Sequence, residues 1–175
     1  MRVFSIVIIM LLSNVVYGYD AYEDKSNAVW NTRTNLSSNV VVKSIDTLTR
    51  KQIKLIRDVY DTAVEKFYTH YGVGKCKVAK LDVRVIYEEE LNSEIFFPNE
   101  YHSTESGKFI FGRFYRDSNV LYIIHMEQAE YHWKKYFAHE LLHYFYNECN
   151  IKFRNNKDEH KEMEKFLYKY GNLFY

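Results

Sequence analysis

The sequence predicts an α+β fold: a small, mostly antiparallel sheet packed on a central helix, with further helices on the N- and C-terminal sides. Three observations carry this. Apolar residues recur at three- and four-residue spacing in separate stretches. Between them, other stretches alternate apolar with polar residues. The alternating stretches cluster together and do not interleave one by one with helices. A chain of 175 residues with 47% apolar residues has room for one domain with its own core. That composition excludes wholesale disorder and a collagen-like architecture.

The first element is an address. Met1-Arg2 supplies a positive start, Val3 to Leu12 are apolar apart from Ser5, and Val16-Tyr17-Gly18 fits a cleavage site. This is the layout of a secretory signal peptide over residues 1–18, with an apolar run too short for a comfortable membrane span. An uncleaved N-terminal anchor is the alternative. The chain holds 24 Lys and Arg against 23 Asp and Glu, and loss of Arg2 with the signal balances them. A neutral exported chain with mixed charges lacks the footprint of nucleic-acid binding. No nucleic-acid partner is expected, and no stable membrane association after cleavage.

Residues 19–43 are polar and aperiodic, which reads as a tether or pro-like segment ending in a short strand at Val40-Val41-Val42. The domain proper is expected over residues 44–175. From about Asp46 to Tyr71 the pattern is helical: Ile53, Ile56, Tyr60, Ala63, Val64, Phe67 and Tyr71 share a face. Thr49 and Gln52 have capping-box spacing, and Gly72 and Gly74 supply the stop. Leu81, Val83, Val85 and Tyr87 alternate as a half-buried strand. Residues 88–107, with the single proline Pro98, read as a long loop. Lys108–Tyr115 and Asn119–His125 read as a hairpin turning over Arg116-Asp117-Ser118-Asn119. A second helix is expected over about Glu130–Glu148, and a last one over about Asp158–Tyr170, ended by Gly171.

The second helix carries His139-Glu140-Leu141-Leu142-His143, an H-E-x-x-H motif. On a helix, positions i and i+4 project from one face about 5–6 Å apart. Two imidazoles so placed can converge on one Zn²⁺. Glu140, one step along, reaches a water activated by that ion, which suits a general base. Phe137, Leu141 and Tyr144 form the buried side of the same helix.

A catalytic zinc ion normally takes three protein ligands. Downstream candidates are Glu148, Glu159, His160, Glu162 and Glu164. The inward stripe of the last helix is Met163, Phe166, Leu167 and Tyr170. Glu159 and His160 both border it, so helical phase leaves the two open.

The stretch from His139 to Phe166 resembles zincin-type metallopeptidases, and among them the SprT-like group: an H-E-x-x-H helix, a polar turn with Asn and Asp, then a histidine opening the next helix. The resemblance implies a zincin-like fold, His139, His143 and His160 as ligands of one Zn²⁺, and Glu140 as base. Glu159 stands where that group commonly has glycine. The resemblance also implies a sheet whose edge strand pairs with an extended peptide substrate, and Asn119–His125 is the candidate edge.

Other residues carry weaker expectations. Cys76 and Cys149 can pair in an oxidising compartment. His125 and His132 stand just before the motif as candidates for supporting roles. Tyr144, Tyr146 and Tyr168 are candidate oxyanion donors, and nothing in the sequence selects among them. The function expected is that of an exported zinc metallopeptidase acting on peptide or protein substrates. The alternatives are a non-catalytic exported binding protein retaining the fold, and an amidase or endopeptidase acting on cell-wall peptides.

Overall fold

Thr49 begins the first helix by the chemistry its spacing suggests. Its hydroxyl accepts from the Gln52 N–H at 3.2 Å, and the Gln52 side chain accepts from the Thr49 N–H at 2.7 Å. Two of the unpaired donors at the helix start are thereby satisfied. Helix α1 runs over Arg50–Tyr71 and stops at Gly72, whose φ of +60° is the left-handed conformation open to glycine. In this computed structural model, residues 30–74, 76–87, 112–125 and 130–174 are described. The expected signal segment, the loop at 88–107 and the start of the hairpin at 108–111 lie outside the described residues.

Among the described residues, five strands form one sheet: β1 (Thr32–Asn35), β2 (Val40–Ser44), β3 (Leu81–Tyr87), β4 (Gly112–Tyr115) and β5 (Val120–His125), in the order β1-β2-β3-β5-β4. The expected strand at Val40–Val42 is β2. Thr32–Asn35, expected as part of a tether, pairs with it as β1, so the sheet begins before residue 44. The sheet is mixed, which corrects the mostly antiparallel expectation. β2, β3 and β5 run parallel at its centre, and β1 and β4 run antiparallel at its two edges. The reason is topological. Helix α1 carries the chain from β2 back to the same end of the sheet, so β3 joins β2 in parallel, as in any βαβ unit. Hairpins then add the antiparallel edges.

The same topology corrects the expected edge. β5 lies inside the sheet between β3 and β4, and β4 ends the sheet on that side among the described residues. The β4–β5 turn closes through Asn119, at φ +54°. Asparagine tolerates that conformation better than most side chains.

Alternation along the strands sorts the core. Val40, Val42, Leu81, Val83, Val85, Phe114, Leu121 and Ile123 face the helices. Ile86, Val120, Tyr122 and Ile124 form a second cluster on the opposite face, with Trp30, Ile45 and Tyr115 against it. Buried Arg84 shares that opposite face and donates to the Tyr122 hydroxyl at 2.6 Å.

Helix α2 (Glu130–Glu148) lies against β4, β5 and α1, and it also meets the last helix and the chain end. Trp133, Phe137, Ala138, Leu141, Leu142, Tyr144, Phe145 and Tyr146 are all buried along it. A helix enclosed on most sides is apolar on most sides. Its polar residues therefore stand out against that background.

α2 ends in a Schellman motif. Asn150 takes φ +53°, its N–H donates to the Asn147 carbonyl, and the Ile151 N–H donates to the Tyr146 carbonyl at 2.9 Å. Asn155 then caps α3 (Asn156–Tyr170), accepting from the Asp158 N–H at 2.9 Å. The helix thus starts two residues earlier than the pattern suggested. Gly171 does not end it in the left-handed way. It continues right-handed, φ −51°, into a 3-10 turn over Gly171–Phe174.

Cys76 and Cys149 are joined by a disulfide, with Cα atoms 5.3 Å apart. Beside it, the Tyr144 hydroxyl donates to the Ala79 carbonyl at 2.7 Å, and Glu148 accepts from the Ala79 N–H and the Asn119 side-chain amide. The C-terminal end of α2 is therefore fastened to both the irregular segment leading into β3 and the hairpin turn.

Candidate metal centre

His139 and His143 project from one face of α2, and the Schellman turn reverses the chain so that the first turn of α3 faces them. His160 comes from that turn. One ring nitrogen from each of the three lies within 4.8 Å of the others. The ring centroids are 5.0–5.4 Å apart. His139 and His143 are half-buried and His160 is exposed, so the group opens to solvent on the α3 side.

Hydrogen bonds select the nitrogens. His160 Nδ1 lies 2.8 Å from the Asn156 carbonyl, and His143 Nδ1 lies 2.6 Å from Glu159 Oε1. A carbonyl or carboxylate only accepts, so each Nδ1 carries the proton and each Nε2 keeps its lone pair. The two residues that helical phase left open are placed differently. His160 joins the pair, while both Glu159 oxygens receive Arg116 and one also receives His143.

The electrostatics suit ligation. His139 is pushed down to about 4, chiefly by burial and then by its two imidazole neighbours. His143 is also lowered, chiefly by burial, with Glu159 working the other way. Neutral imidazoles are what a metal ion requires. Burial alone would raise Glu159, but the hydrogen bonds from Arg116 and His143 outweigh it and hold the carboxylate below its ordinary range. Three imidazoles fit a borderline transition metal; zinc, copper, iron and nickel all accept such donors, so the set is not specific to zinc.

The Glu140 side chain lies against β4. Burial pushes its carboxyl up to about 7, against the pull of the Phe114 N–H, which it accepts, and of Arg113. Gly112 makes room for it: a methyl group there would stand 2.8 Å from Glu140 Cγ. This glycine is needed for close approach of strand and side chain.

The remaining candidates go elsewhere. Glu148 serves the Ala79 and Asn119 contacts, Glu162 pairs with Lys165 at 2.8 Å, and Glu164 is exposed. Tyr144 and Tyr146 are buried with their hydroxyls on Ala79 and Tyr71, and Tyr168 is 95% exposed. His125 and His132 lie on β5 and α2, and their side chains are outside the described residues. Sequence reading missed Arg116, Gly112 and the Phe114 N–H. Only the glycine carries a signal, as the residue opening an otherwise bulky strand.

Compared with known proteins, the chain matches no family model and no curated protein.

Proposed function

We propose that this chain is an exported zinc-dependent metallopeptidase with a zincin-like fold, hydrolysing peptide bonds with Glu140 as general base. The observation that carries the reading is the convergence of His139, His143 and His160, from two helices, with the half-buried Glu140 carboxyl next to His139 in sequence and against an edge strand of the described sheet. Bound by the three imidazoles, zinc would supply a Lewis acid for the scissile carbonyl and lower the pKa of water.

The chain's own residues do the rest. Glu140 takes the proton from the attacking water and returns it to the leaving amine nitrogen. A carboxyl poised near 7 can do both. β4 offers an edge to which an extended peptide can add as a further strand, which would bring its backbone alongside Glu140. Among the described residues no helix is long and apolar enough to cross a membrane. Export is supported by the apolar N-terminal run and by the Cys76–Cys149 disulfide, which fits an oxidising compartment.

The test is zinc analysis of purified protein together with peptide hydrolysis. Unmutated protein should hold one zinc ion and cleave peptides. His139→Ala should lose the metal, and Glu140→Gln should keep the metal but lose hydrolysis. A folded chain that never takes up zinc would sink the reading. Zinc without turnover on protein or cell-wall peptides would instead favour a binding role.

A further inference from the structure

We propose that Glu159, anchored by Arg116, is the positioning residue for His143, determining which imidazole nitrogen faces the metal and holding the ring there. The inference rests on the zinc reading above and adds to it two residues that bind no metal themselves.

Glu159 is 3% exposed, next to the exposed His160 on the first turn of α3. A carboxylate so deeply placed is costly unless its lone pairs are filled. Here they are filled from two sides. An Arg116 guanidinium nitrogen lies 2.5 Å from both oxygens, and His143 Nδ1 lies 2.6 Å from Oε1. Arg116 belongs to the turn between β4 and β5, and His143 to the middle of α2. The carboxylate therefore ties the hairpin, the motif helix and α3 together at one point.

Its chemical consequence is specific. Because the carboxylate only accepts, the proton of neutral His143 is confined to Nδ1 and the lone pair to Nε2. A free imidazole shares its proton between the two nitrogens and rotates. Fixing both tautomer and rotation before the ion arrives removes an ordering cost from binding and raises the basicity of the ligand. Arg116 in turn holds Glu159 ionised and aimed. The first turn of α3 thus contributes one ligand, His160, and orients a second.

The test uses the full disulfide-bonded chain. Zinc affinity is measured by competition with a chelator, and the His143 tautomer by long-range ¹⁵N–¹H correlation at about pH 8, with and without zinc. In unmutated protein His143 should carry its proton on Nδ1 in both states. Glu159→Ala should weaken zinc binding by about 10–100-fold, and metal-free His143 should then populate both tautomers. Glu159→Gln keeps the shape and an oxygen acceptor but not the charge. It should fall between the two, and it carries the test if Glu159→Ala does not fold. Arg116→Ala should shift both readouts in the same direction. Zinc affinity and tautomer unchanged in Glu159→Gln and Glu159→Ala would overturn the inference while leaving the zinc reading intact. Unmutated chain that binds no zinc overturns the zinc reading, and the positioning role with it, whatever the tautomer.

Discussion

The two halves of one helix are built for opposite ends. At His139–His143, α2 brings two imidazoles to His160 of α3 and carries a half-buried carboxyl; burial disfavours the charged forms of His139, His143 and Glu140. At Tyr144–Cys149, less than two turns on, the same helix spends its polar groups on fastening: a disulfide, a tyrosine on a carbonyl, and a glutamate on two donors. A chemically poised site is a local loss of stability that the surrounding structure must offset. The comparison teaches where that offset lies: within the same helix, on the side turned away from the metal ligands.

The strongest way to break this comparison is to cut the fastening. The disulfide closes a loop spanning 73 positions. In the chain-entropy account such a link stabilises by about 4 kcal/mol. Replacing Cys76 and Cys149 together by serine should lower the unfolding free energy by that order, read from denaturant titration. Zinc stoichiometry should be unchanged, because neither cysteine belongs to the histidine cluster.

The next largest effect comes from the site itself. Glu140 ionises near 7 in the folded chain and at its ordinary 4.5 when unfolded. Between those values the folded state binds the extra proton, so its stability is fully present below about 4.5 and is lost as pH rises through 7. The loss is on the order of 3 kcal/mol. His139 acts in the opposite sense. Its folded value of about 4 lies below the ordinary 6.5, so stability is lost as pH falls from 6.5 toward 4. The two slopes oppose each other in metal-free protein, and His143, also lowered by burial, adds to the sense of His139. Glu140→Gln should therefore be more stable than unmutated protein at pH 8, and should show a clear rise in stability from pH 4 to 6.5. A variant no more stable at pH 8 would mean Glu140 carries no strain. In zinc-loaded protein the acid limb of hydrolysis should fall below pH 7, since a nearby cation favours the carboxylate.

How much of this was legible in the sequence differs between the two halves. The pairing of His139 with His143, and Glu140 beside them, follow from local spacing, because a helix converts i and i+4 into one face. His160 does not, since helical phase leaves it level with Glu159 and only the family resemblance implies it. α1 was legible from Thr49 to Gly72 for the same reason: its caps are short-range chemistry. The mixed sheet was not. Val40–Val42 and Leu81–Tyr87 look alike in sequence whether paired parallel or antiparallel, and only the crossover through α1 decides. β4 became the edge because β5 found β3 across a gap of more than thirty residues, a pairing without local trace. Arg116 meeting Glu159 is of the same kind, a contact 43 residues apart. The fastening half was half legible: two cysteines suggest a bridge, but nothing marks Tyr144 or Glu148.

Gly112 sharpens the contrast from the strand side. Gly112→Ala would set a methyl 2.8 Å from Glu140 Cγ, and the Tyr122 carbonyl at 3.2 Å blocks retreat. The side chain that must give is Glu140, the proposed base. A misplacement of about 1 Å can cost about 100-fold in turnover. Peptide hydrolysis should fall by that order while zinc affinity holds, because the atoms nearest that methyl belong to Glu140, Ile123 and Tyr122 and none to the three histidines. Parallel losses of zinc and activity would mean that the strand supports the whole centre and not Glu140 alone.

Tyr144→Phe is the smallest and most local test. The variant keeps the ring, and with it the packing against Phe114 at 5.8 Å between centroids, and deletes only the hydroxyl that donates to Ala79. A single neutral hydrogen bond is worth about 1 kcal/mol net. Ala79 is exposed, so water can take over part of the lost bond and the cost should not exceed that figure. Tyr144 follows His143 directly in sequence, yet its hydroxyl is engaged by Ala79 in the irregular segment leading into β3. Zinc affinity and hydrolysis should therefore match those of unmutated protein, with only the denaturation midpoint lowered. A loss of activity at unchanged stability would show that this tyrosine reaches the substrate, and that the division between the two halves of α2 begins one residue later than its hydrogen bonds indicate.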